Sequence, residues 1–173
     1  MVKKVIVDSS SAILLFKANV FTYLYDCYDL FVCDSVFKEL TIDGYEGHQF
    51  FKESVLKKQL NIIKFNDNMQ LDYKNNKDLR SLGKGERDSI IITLEKQIDF
   101  MIVDDKKACK IASKYGLNFV NALLMLKILF FKRNISQKKF KEEFDRLSTI
   151  GYYSKKIKQF VLDIKASKLT QFI

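Results

Sequence analysis

The chain has 173 residues, which suits one domain that buries most of its apolar surface, and its 47% hydrophobic and 29% charged residues are typical of a folded globular protein. Three cysteines without a CxxC pair and a single histidine, His48, argue against a disulfide framework, a histidine-based nucleophile system and a histidine metal site. The apolar block at residues 123–131 is too short for a membrane span, and the N-terminal lysines lead into no signal-peptide core, so we expect a cytoplasmic protein.

The net charge of +9 is concentrated near the C-terminus. Residues 132–173 carry 11 Lys and Arg against 4 Asp and Glu, whereas the preceding part of the chain is nearly neutral. Acidic clusters in a nearly neutral part of the chain, together with a basic segment, suit a metal-dependent enzyme whose substrate is a polyanion. The basic segment attracts the phosphates of the substrate, and the carboxylates hold cations. The alternative is a solvated, lysine-rich surface, since net charge alone indicates only non-specific affinity.

The first predicted element is a short strand that ends in an acid and three serines. Val5, Ile6 and Val7 are consecutive β-branched residues, which suit a strand buried on both faces, and Asp8 follows directly. Ligands bind at this carboxyl edge in open α/β sheets. The alternative is that Asp8 or one of the serines only caps the next helix.

The middle of the chain alternates helices and strands. The pattern predicts helices at residues 12–18, 20–28 and 46–58, strands at residues 30–33 and 61–65, and a polar loop or weakly helical excursion at residues 66–84. Another helix begins after Asp34 and Ser35 and carries Glu39. Glu39 is either a functional acid or an ordinary exposed helix residue.

A strong helix is predicted at residues 86–97, after the tripeptide Gly83-Lys84-Gly85. Glu86 and Asp88 fall in its first turn, where the helix dipole alone favours carboxylates. Their position is therefore compatible with a functional role and does not require one.

A second strand that ends in acids is predicted at residues 100–103. Asp104 and Asp105 follow it, and Asp105 has helix capping as its alternative role. The pattern then predicts a helix at residues 105–115, a short strand at 118–120, and helices at 122–133, 137–149 and 154–165. Strands that alternate with helices of this length predict an α/β fold with a parallel sheet.

Four of these blocks together resemble one protein family. VIVDSSSAILLFK, VCDSVFKEL, LGKGERDSIIITL and FMIVDDKKACKIA resemble, in order and spacing, the PIN-domain nucleases, above all the prokaryotic subgroup that opens with D-S-S-P-L-I and carries a helical C-terminal extension. The resemblance covers nearly the whole chain. It implies a three-layer α/β/α sandwich with a four- or five-stranded parallel sheet in residues 1–131, and a basic helical extension in residues 132–173 packed on the same domain.

The resemblance also implies RNA cleavage with Mg²⁺ or Mn²⁺ at an acidic pocket. Ser10 is then the hydroxyl that orients the first acid. The catalytic residues carried over are Asp8, Glu39, Glu86, Asp88 and Asp104; the metal ligands are Asp8, Asp104, Asp105, Glu86 and Asp88; and the residues expected to bind RNA are Lys106, Lys107, Lys110, Lys132 and Arg133. The choices between Glu86 and Asp88, and between Asp104 and Asp105, stay open.

Three positions depart from the subgroup's pattern. Ala12 replaces a proline, Lys110 replaces the usual arginine, and Asn121 stands where a Gly-Thr turn is common. These changes concern turn geometry and phosphate contact more than the acidic residues.

The chemistry of such a site can also be argued directly. Phosphodiester hydrolysis needs an activated water and relief of charge on the phosphate, both of which divalent cations supply. Converging carboxylates repel one another without a cation, which is a reason to expect one. We assign Asp8 and Asp104 as principal ligands, with Glu86 or Asp88 completing the site and Glu39 positioning or deprotonating the attacking water.

The functional alternatives differ in class. The first is a ribonuclease, with the toxin of a type II toxin–antitoxin pair as a specific form, whose antitoxin would insert a basic side chain into the acidic pocket. The second is a catalytically degenerate protein that keeps the fold and binds RNA or a protein. We expect a homodimer, and the apolar faces of residues 20–28 and 46–58 are candidate surfaces for a partner, with core packing as their alternative use.

Overall fold

Five parallel strands form one sheet in the computed structural model, which describes residues 2–66, 73 and 76–173. The strands are β1 (Lys3–Val7), β2 (Tyr28–Cys33), β3 (Asn61–Ile63), β4 (Phe100–Ile102) and β5 (Phe119–Val120), in the order β3-β2-β1-β4-β5. Helices flank the sheet in a three-layer α/β/α arrangement, which confirms the predicted fold class.

The helices of the described residues connect the strands and extend beyond them. They are α1 (Ser9–Lys17), α2 (Asp34–Leu40), α3 (His48–Leu56), α4 (Lys77–Arg80), α5 (Lys84–Glu95), α6 (Lys106–Lys114), α7 (Ala122–Phe131), α8 (Gln137–Ile150) and α9 (Lys155–Asp163). Within this part of the chain, every helix is too short or too polar to cross a bilayer. Part of the polar segment predicted at residues 66–84 lies outside the described residues.

The central strand explains the order of the sheet. Val5, Ile6 and Val7 of β1 have no exposed surface, as expected for a strand covered on both faces. The chain builds β2 and β3 on one side of β1 and then returns to build β4 and β5 on the other. The carboxyl ends of β1 and β4 therefore flank the topological switch point, where open α/β sheets bind ligands.

The prediction of a helix at residues 20–28 is wrong. Only a short 3-10 turn forms at Phe21–Leu24, and Tyr28 already belongs to β2, where it pairs with Lys3 of β1. The hydroxyl of Tyr28 also donates to the carbonyl oxygen of Phe172 over 2.7 Å. Strand pairing and this long-range contact override the local helical pattern.

The two candidate partner surfaces are mostly used inside the protein. Phe21 and Phe51 are at most 1% exposed, and their ring centroids lie 5.3 Å apart in an edge-to-face contact. Leu56, the last residue of α3 and part of the segment predicted to have an apolar face, is 81% exposed. Core packing is therefore the main use of both segments.

The C-terminal extension lies against the rest of the chain through several separate contacts. Lys127 of α7 donates from Nζ to the carbonyl oxygen of Leu162 over 3.1 Å, and Arg146 of α8 donates to the carbonyl oxygen of Lys17 over 3.3 Å. Leu147 and Val161 are buried. The boundary at residue 131 stays a prediction.

Candidate active site

Asp8 lies immediately beyond β1 and is almost fully buried. It is the residue before α1, yet its carboxylate does not cap that helix; Oδ2 instead accepts a hydrogen bond from the hydroxyl of Ser10, the residue predicted to orient it. The pKa of Asp8 is raised to about 6, chiefly by burial; hydrogen bonds from Ser10 and Ser9 oppose the increase, and the negative charges of Glu86 and Glu39 contribute to it. Asp8 is thus a buried carboxylate surrounded by like charge.

Glu39 and Glu86 reach the same edge from two neighbouring helices. Gly85 makes their approach feasible, because a Cβ atom there would lie 2.9 Å from Cγ2 of Val36 and 3.0 Å from Oε1 of Glu39. Oε2 of Glu86 accepts from the backbone N–H of Gly83 over 3.1 Å at the start of α5, which is the glutamate half of a capping box, since Gly83 has no side chain to complete it. Partial burial raises the pKa of Glu86, and the charges of Asp105 and Glu39 add to that effect.

Asp104 lies beyond β4 and accepts hydrogen bonds from three parts of the chain. Oδ2 accepts from the hydroxyl of Ser11 over 2.8 Å and from the backbone N–H of Ala122 over 3.0 Å. Oδ1 accepts from the hydroxyl of Tyr153. Burial raises the pKa of Asp104, while these three donors stabilise its charged form.

Asp105 serves as the cap of α6. Its Oδ1 accepts from the backbone N–H groups of Lys107 and Ala108, each over 2.8 Å, which is the capping alternative considered for this residue. The thiol of Cys109 lies close to the acidic residues: burial raises its pKa to about 12, and the charges of Asp104, Asp105 and Asp8 contribute. The exits of β1 and β4 therefore share one electrostatic environment.

Asp88 points away from this environment. Two residues along an α-helix correspond to a rotation of about 200°, so Glu86 and Asp88 face opposite sides of α5. Asp88 has no exposed surface and accepts a hydrogen bond from the hydroxyl of Ser35 over 2.7 Å. Asp88 therefore lies in the packing between α2 and α5, and its role as a metal ligand and catalytic residue stays a prediction.

The acidic residues at this edge meet only part of what a divalent cation requires. In residues 2–66, 73 and 76–173, no three acidic, histidine or cysteine side chains are grouped closely enough to form a ready-made metal site. Mg²⁺ needs less than that, because it keeps several waters and binds through one or two carboxylates plus substrate phosphate. Asp8, Glu39 and Glu86 supply only oxygen donors and excess negative charge, so the donor chemistry fits a hard cation.

A lysine-lined groove lies along α6, the helix that starts at the acidic edge. It has a volume of about 530 Å³ and is lined by Asp78, Ser81, Lys107, Lys110, Ile111, Ser113 and Lys114. Lys107 donates to the carbonyl oxygen of Ser81, and Lys114 pairs with Asp78. Lys106, the first residue of α6, is exposed.

Lys132 and Arg133 lie elsewhere. Nζ of Lys132 is 5.3 Å from the ring centroid of Tyr28, and the same surface includes Lys3 at the start of β1. These residues belong to the amino edge of the sheet, about 16 Å from the acidic edge for a strand of this length. The structure thus separates Lys132 and its neighbour Arg133 from the other three residues expected to bind RNA.

Sequence analysis missed two side chains that contact the acidic residues. Ser11 was considered only as a capping residue, and Tyr153 was not considered at all, yet both donate to Asp104. Ser11 is 93 residues from Asp104 in the chain and Tyr153 is 49 residues from it, so no local pattern indicates either contact. The three serines after β1 were the only available signal for Ser11.

Comparison with known proteins supplies a family. A family model described as a PIN domain matches residues 4–165, which is nearly the whole chain. No curated protein matches the sequence.

Proposed function

Because the chain belongs to the PIN-domain family, whose members are generally nucleases, we propose that it is a ribonuclease that hydrolyses RNA phosphodiester bonds with Mg²⁺ or Mn²⁺. The observation that carries this proposal is the environment of Asp8. Its carboxylate is 2% exposed at the carboxyl edge of the sheet, and the charges of Glu86 and Glu39 that act on it are both negative. Such a cluster is costly to keep ionised alone and is stabilised by a cation.

Each acidic residue has its own role in the proposed hydrolysis. Asp8 and Glu86 would hold the cation, with Asp104 beside them at the exit of β4. A divalent cation bound there supplies a Lewis acid that neutralises charge on the scissile phosphate. Glu39, which is exposed, orients the attacking water and accepts its proton. Ser10 fixes the orientation of Asp8.

The groove along α6 supports RNA as the substrate. Lys107, Lys110 and Lys114 recur along this helix from the acidic edge outwards, and they can bind successive backbone phosphates if RNA displaces the contacts of Lys107 with Ser81 and of Lys114 with Asp78. Lys106 adds positive charge at the start of the same helix. Phosphates are thereby attracted next to a site whose own carboxylates would repel them.

The test is cleavage of an end-labelled RNA by the purified protein with Mg²⁺, with Mn²⁺ and with EDTA. We expect cleavage with either metal, none with EDTA, and a loss of at least 100-fold in the Asp8→Asn variant, because the leading ligand is removed. Asp145→Asn, at an exposed position of α8, is the matched control and should retain full activity. Metal-independent cleavage, or equal rates for the two variants, would contradict the proposal.

One observation favours the second candidate, a PIN-fold protein that binds RNA or a protein without cleaving RNA. The carboxylate of Asp104 is already occupied by three donors, as in a structural acid. This candidate predicts RNA binding that is equal with and without metal and is unchanged in Asp8→Asn. The same set of proteins, measured for binding and for cleavage, separates the two functions.

We propose a toxin role as the specific biological form of the nuclease. The cluster of carboxylates at the sheet edge is suited to an arginine from an antitoxin, because a desolvated carboxylate–guanidinium pair is strong. Expression in a bacterial host should then arrest growth, and Asp8→Asn should relieve the arrest. The expected homodimer is checked independently by analytical ultracentrifugation.

A further inference from the structure

The turn after α8 brings the C-terminal extension to the acidic edge. Gly151 ends α8, Tyr152 takes a left-handed conformation with φ of 50°, and Tyr153 then faces the sheet. A Cβ atom at Gly151 would contact the ring of Tyr153 and would lie 3.0 Å from the carbonyl oxygen of Leu147. The turn therefore requires glycine at this position for the ring to take its place.

The side chain of Tyr153 ends on a site residue. Its hydroxyl donates to Oδ1 of Asp104, while Ser11 and Ala122 donate to Oδ2. A carboxylate has about four acceptor positions, so three donors from three elements fix its rotation and leave one position open. Of these three donors, only Tyr153 comes from residues 132–173.

We infer that Tyr153 is a positioning residue, supplied by the C-terminal extension, that orients Asp104 for binding a divalent cation. The inference rests on the proposed metal-dependent function. Partners that orient a metal-binding residue typically change metal affinity or activity by 10–100-fold when they are removed. The extension is then part of the active site, in addition to any role in folding.

The test compares Tyr153→Phe with Tyr152→Phe. Both substitutions remove one phenolic hydroxyl from adjacent residues, but Tyr152 is 92% exposed and its side chain points into solvent. Binding of Mn²⁺ is measured directly, from the loss of the electron paramagnetic resonance signal of the free ion. We expect the Kd for Mn²⁺ to rise about tenfold in Tyr153→Phe. It should stay unchanged in Tyr152→Phe.

Kinetics supply a second readout. In Tyr153→Phe, kcat should fall about tenfold at low Mn²⁺ and recover at high Mn²⁺, with the KM for RNA unchanged, because the hydroxyl contacts Asp104 and not the substrate. A merely structural role would not produce rescue by the metal. Gly151→Ala is a second variant that displaces the Tyr153 ring while keeping its hydroxyl, and it should show the same loss.

The outcomes separate this inference from the function on which it rests. If the unmodified protein binds Mn²⁺ and Asp8→Asn does not, while Tyr153→Phe binds as Tyr152→Phe does, only the role of Tyr153 is overturned. If the unmodified protein and Asp8→Asn bind Mn²⁺ equally, or neither binds it, the proposed metal site is overturned together with the inference. Should Tyr153→Phe fail to fold in a thermal unfolding assay, Gly151→Ala decides the question.

Discussion

Ser11, in the first turn of α1, donates its hydroxyl to Oδ2 of Asp104 over 2.8 Å and so joins the exits of β1 and β4. The two residues are 93 positions apart in the chain. The backbone reinforces the connection, because the N–H of Asp8 donates to the carbonyl oxygen of Ile102 over 3.0 Å. The edge on which the proposed chemistry depends is thus held by both side-chain and backbone contacts.

Ser11→Ala should destabilise the protein by about 1–2 kcal/mol, because the partly buried carboxylate of Asp104 loses one of its three donors, the fully buried hydroxyl of Ser11. Chemical denaturation followed by circular dichroism measures the change. Ser10→Ala is the comparison, since Ser10 is exposed and water can replace its hydroxyl at Asp8. Equal destabilisation by the two substitutions would argue against a special role of the Ser11–Asp104 contact.

The pKa of Asp8 predicts how the stability of the metal-free protein depends on pH. The pKa of the Asp8 carboxyl is about 6 in the folded protein and 3.8 in an unfolded chain. The folded state therefore binds the carboxyl proton more tightly than the unfolded state does. The contribution of Asp8 to stability is therefore fully present below pH 3.8 and is lost as the pH rises through about 6. At pH 8 the ionised carboxylate costs the folded state roughly 2–3 kcal/mol as an upper value.

Asp8→Asn isolates this effect from the other titrating groups. In EDTA, we expect the variant to be up to about 3 kcal/mol more stable than the unmodified protein at pH 8. The difference should shrink towards zero well below pH 3.8, where Asp8 is protonated in both the folded and the unfolded state. Denaturation curves at several pH values measure the difference in the free energy of unfolding. A difference that does not vary with pH would show that ionisation of Asp8 does not destabilise the folded state.

The sequence was sufficient to predict the strands and most helices, because both signals are local. A β-branched run marks β1, an apolar run marks β4, and alternation with helices predicts the parallel sheet. The failure at residues 20–28 has a different origin, because Tyr28 is held by its pairing with Lys3 and its contact with Phe172. Such contacts are properties of the assembled fold.

The same distinction between local sequence patterns and contacts of the assembled fold applies to the site. Asp8 and Asp104 could be identified as candidates because each follows an apolar strand, whereas Tyr153 lies in a turn with no chemical motif. The choice between Glu86 and Asp88 required knowing which side of α5 faces the interior. Helical geometry separates the two residues by about 200°, and only the packing of α2 against α5 shows which one is covered.

Glu86→Gln and Asp88→Asn should therefore affect different properties. We expect Glu86→Gln to raise the Kd for Mn²⁺ about tenfold with little effect on stability, because the residue is partly exposed at the proposed site. Asp88→Asn should mainly lower stability, by about 1–3 kcal/mol, since it changes the acceptor of a buried hydrogen bond from Ser35. Metal titration and denaturation of both variants decide which residue is the ligand. Weaker Mn²⁺ binding in Asp88→Asn, with unchanged binding in Glu86→Gln, would make Asp88 the ligand.

Gly85→Ala should reduce activity more than a similar change nearby. The added methyl group would meet Val36 at 2.9 Å and Glu39 at 3.0 Å, so the carboxylate of Glu39 must move away from its place beside α5. Because a misplacement of about 1 Å in a catalytic group can cost about 100-fold in rate, we expect a loss of up to that size. Initial rates of RNA cleavage at saturating Mn²⁺ measure the effect.

Gly83→Ala is the matched control for this substitution. The nearest atom to its new methyl group would be Oε2 of Glu86 at 3.5 Å, which is an ordinary contact. We expect its rate to stay within a few-fold of the unmodified protein, given that small changes at uncrowded surface positions are usually tolerated. Similar losses in both variants would mean that the start of α5, and not the position of Glu39, is sensitive.

The separation of the basic residues predicts which lysines bind RNA. Lys110→Ala should weaken RNA binding and reduce the slope of log K against log salt by about 0.7, the value for one phosphate contact on a single strand. Lys132→Ala removes the same charge from the surface that includes Lys3 and Tyr28 and should leave that slope unchanged, because Lys132 does not line the groove along α6. Both substitutions are made in the Asp8→Asn background, so that binding is measured by fluorescence anisotropy without cleavage. If both substitutions change the slope equally, RNA wraps around the sheet edge or binds through net charge alone. If only the Lys132 substitution changes it, RNA binds at the amino edge of the sheet and not along the groove of α6.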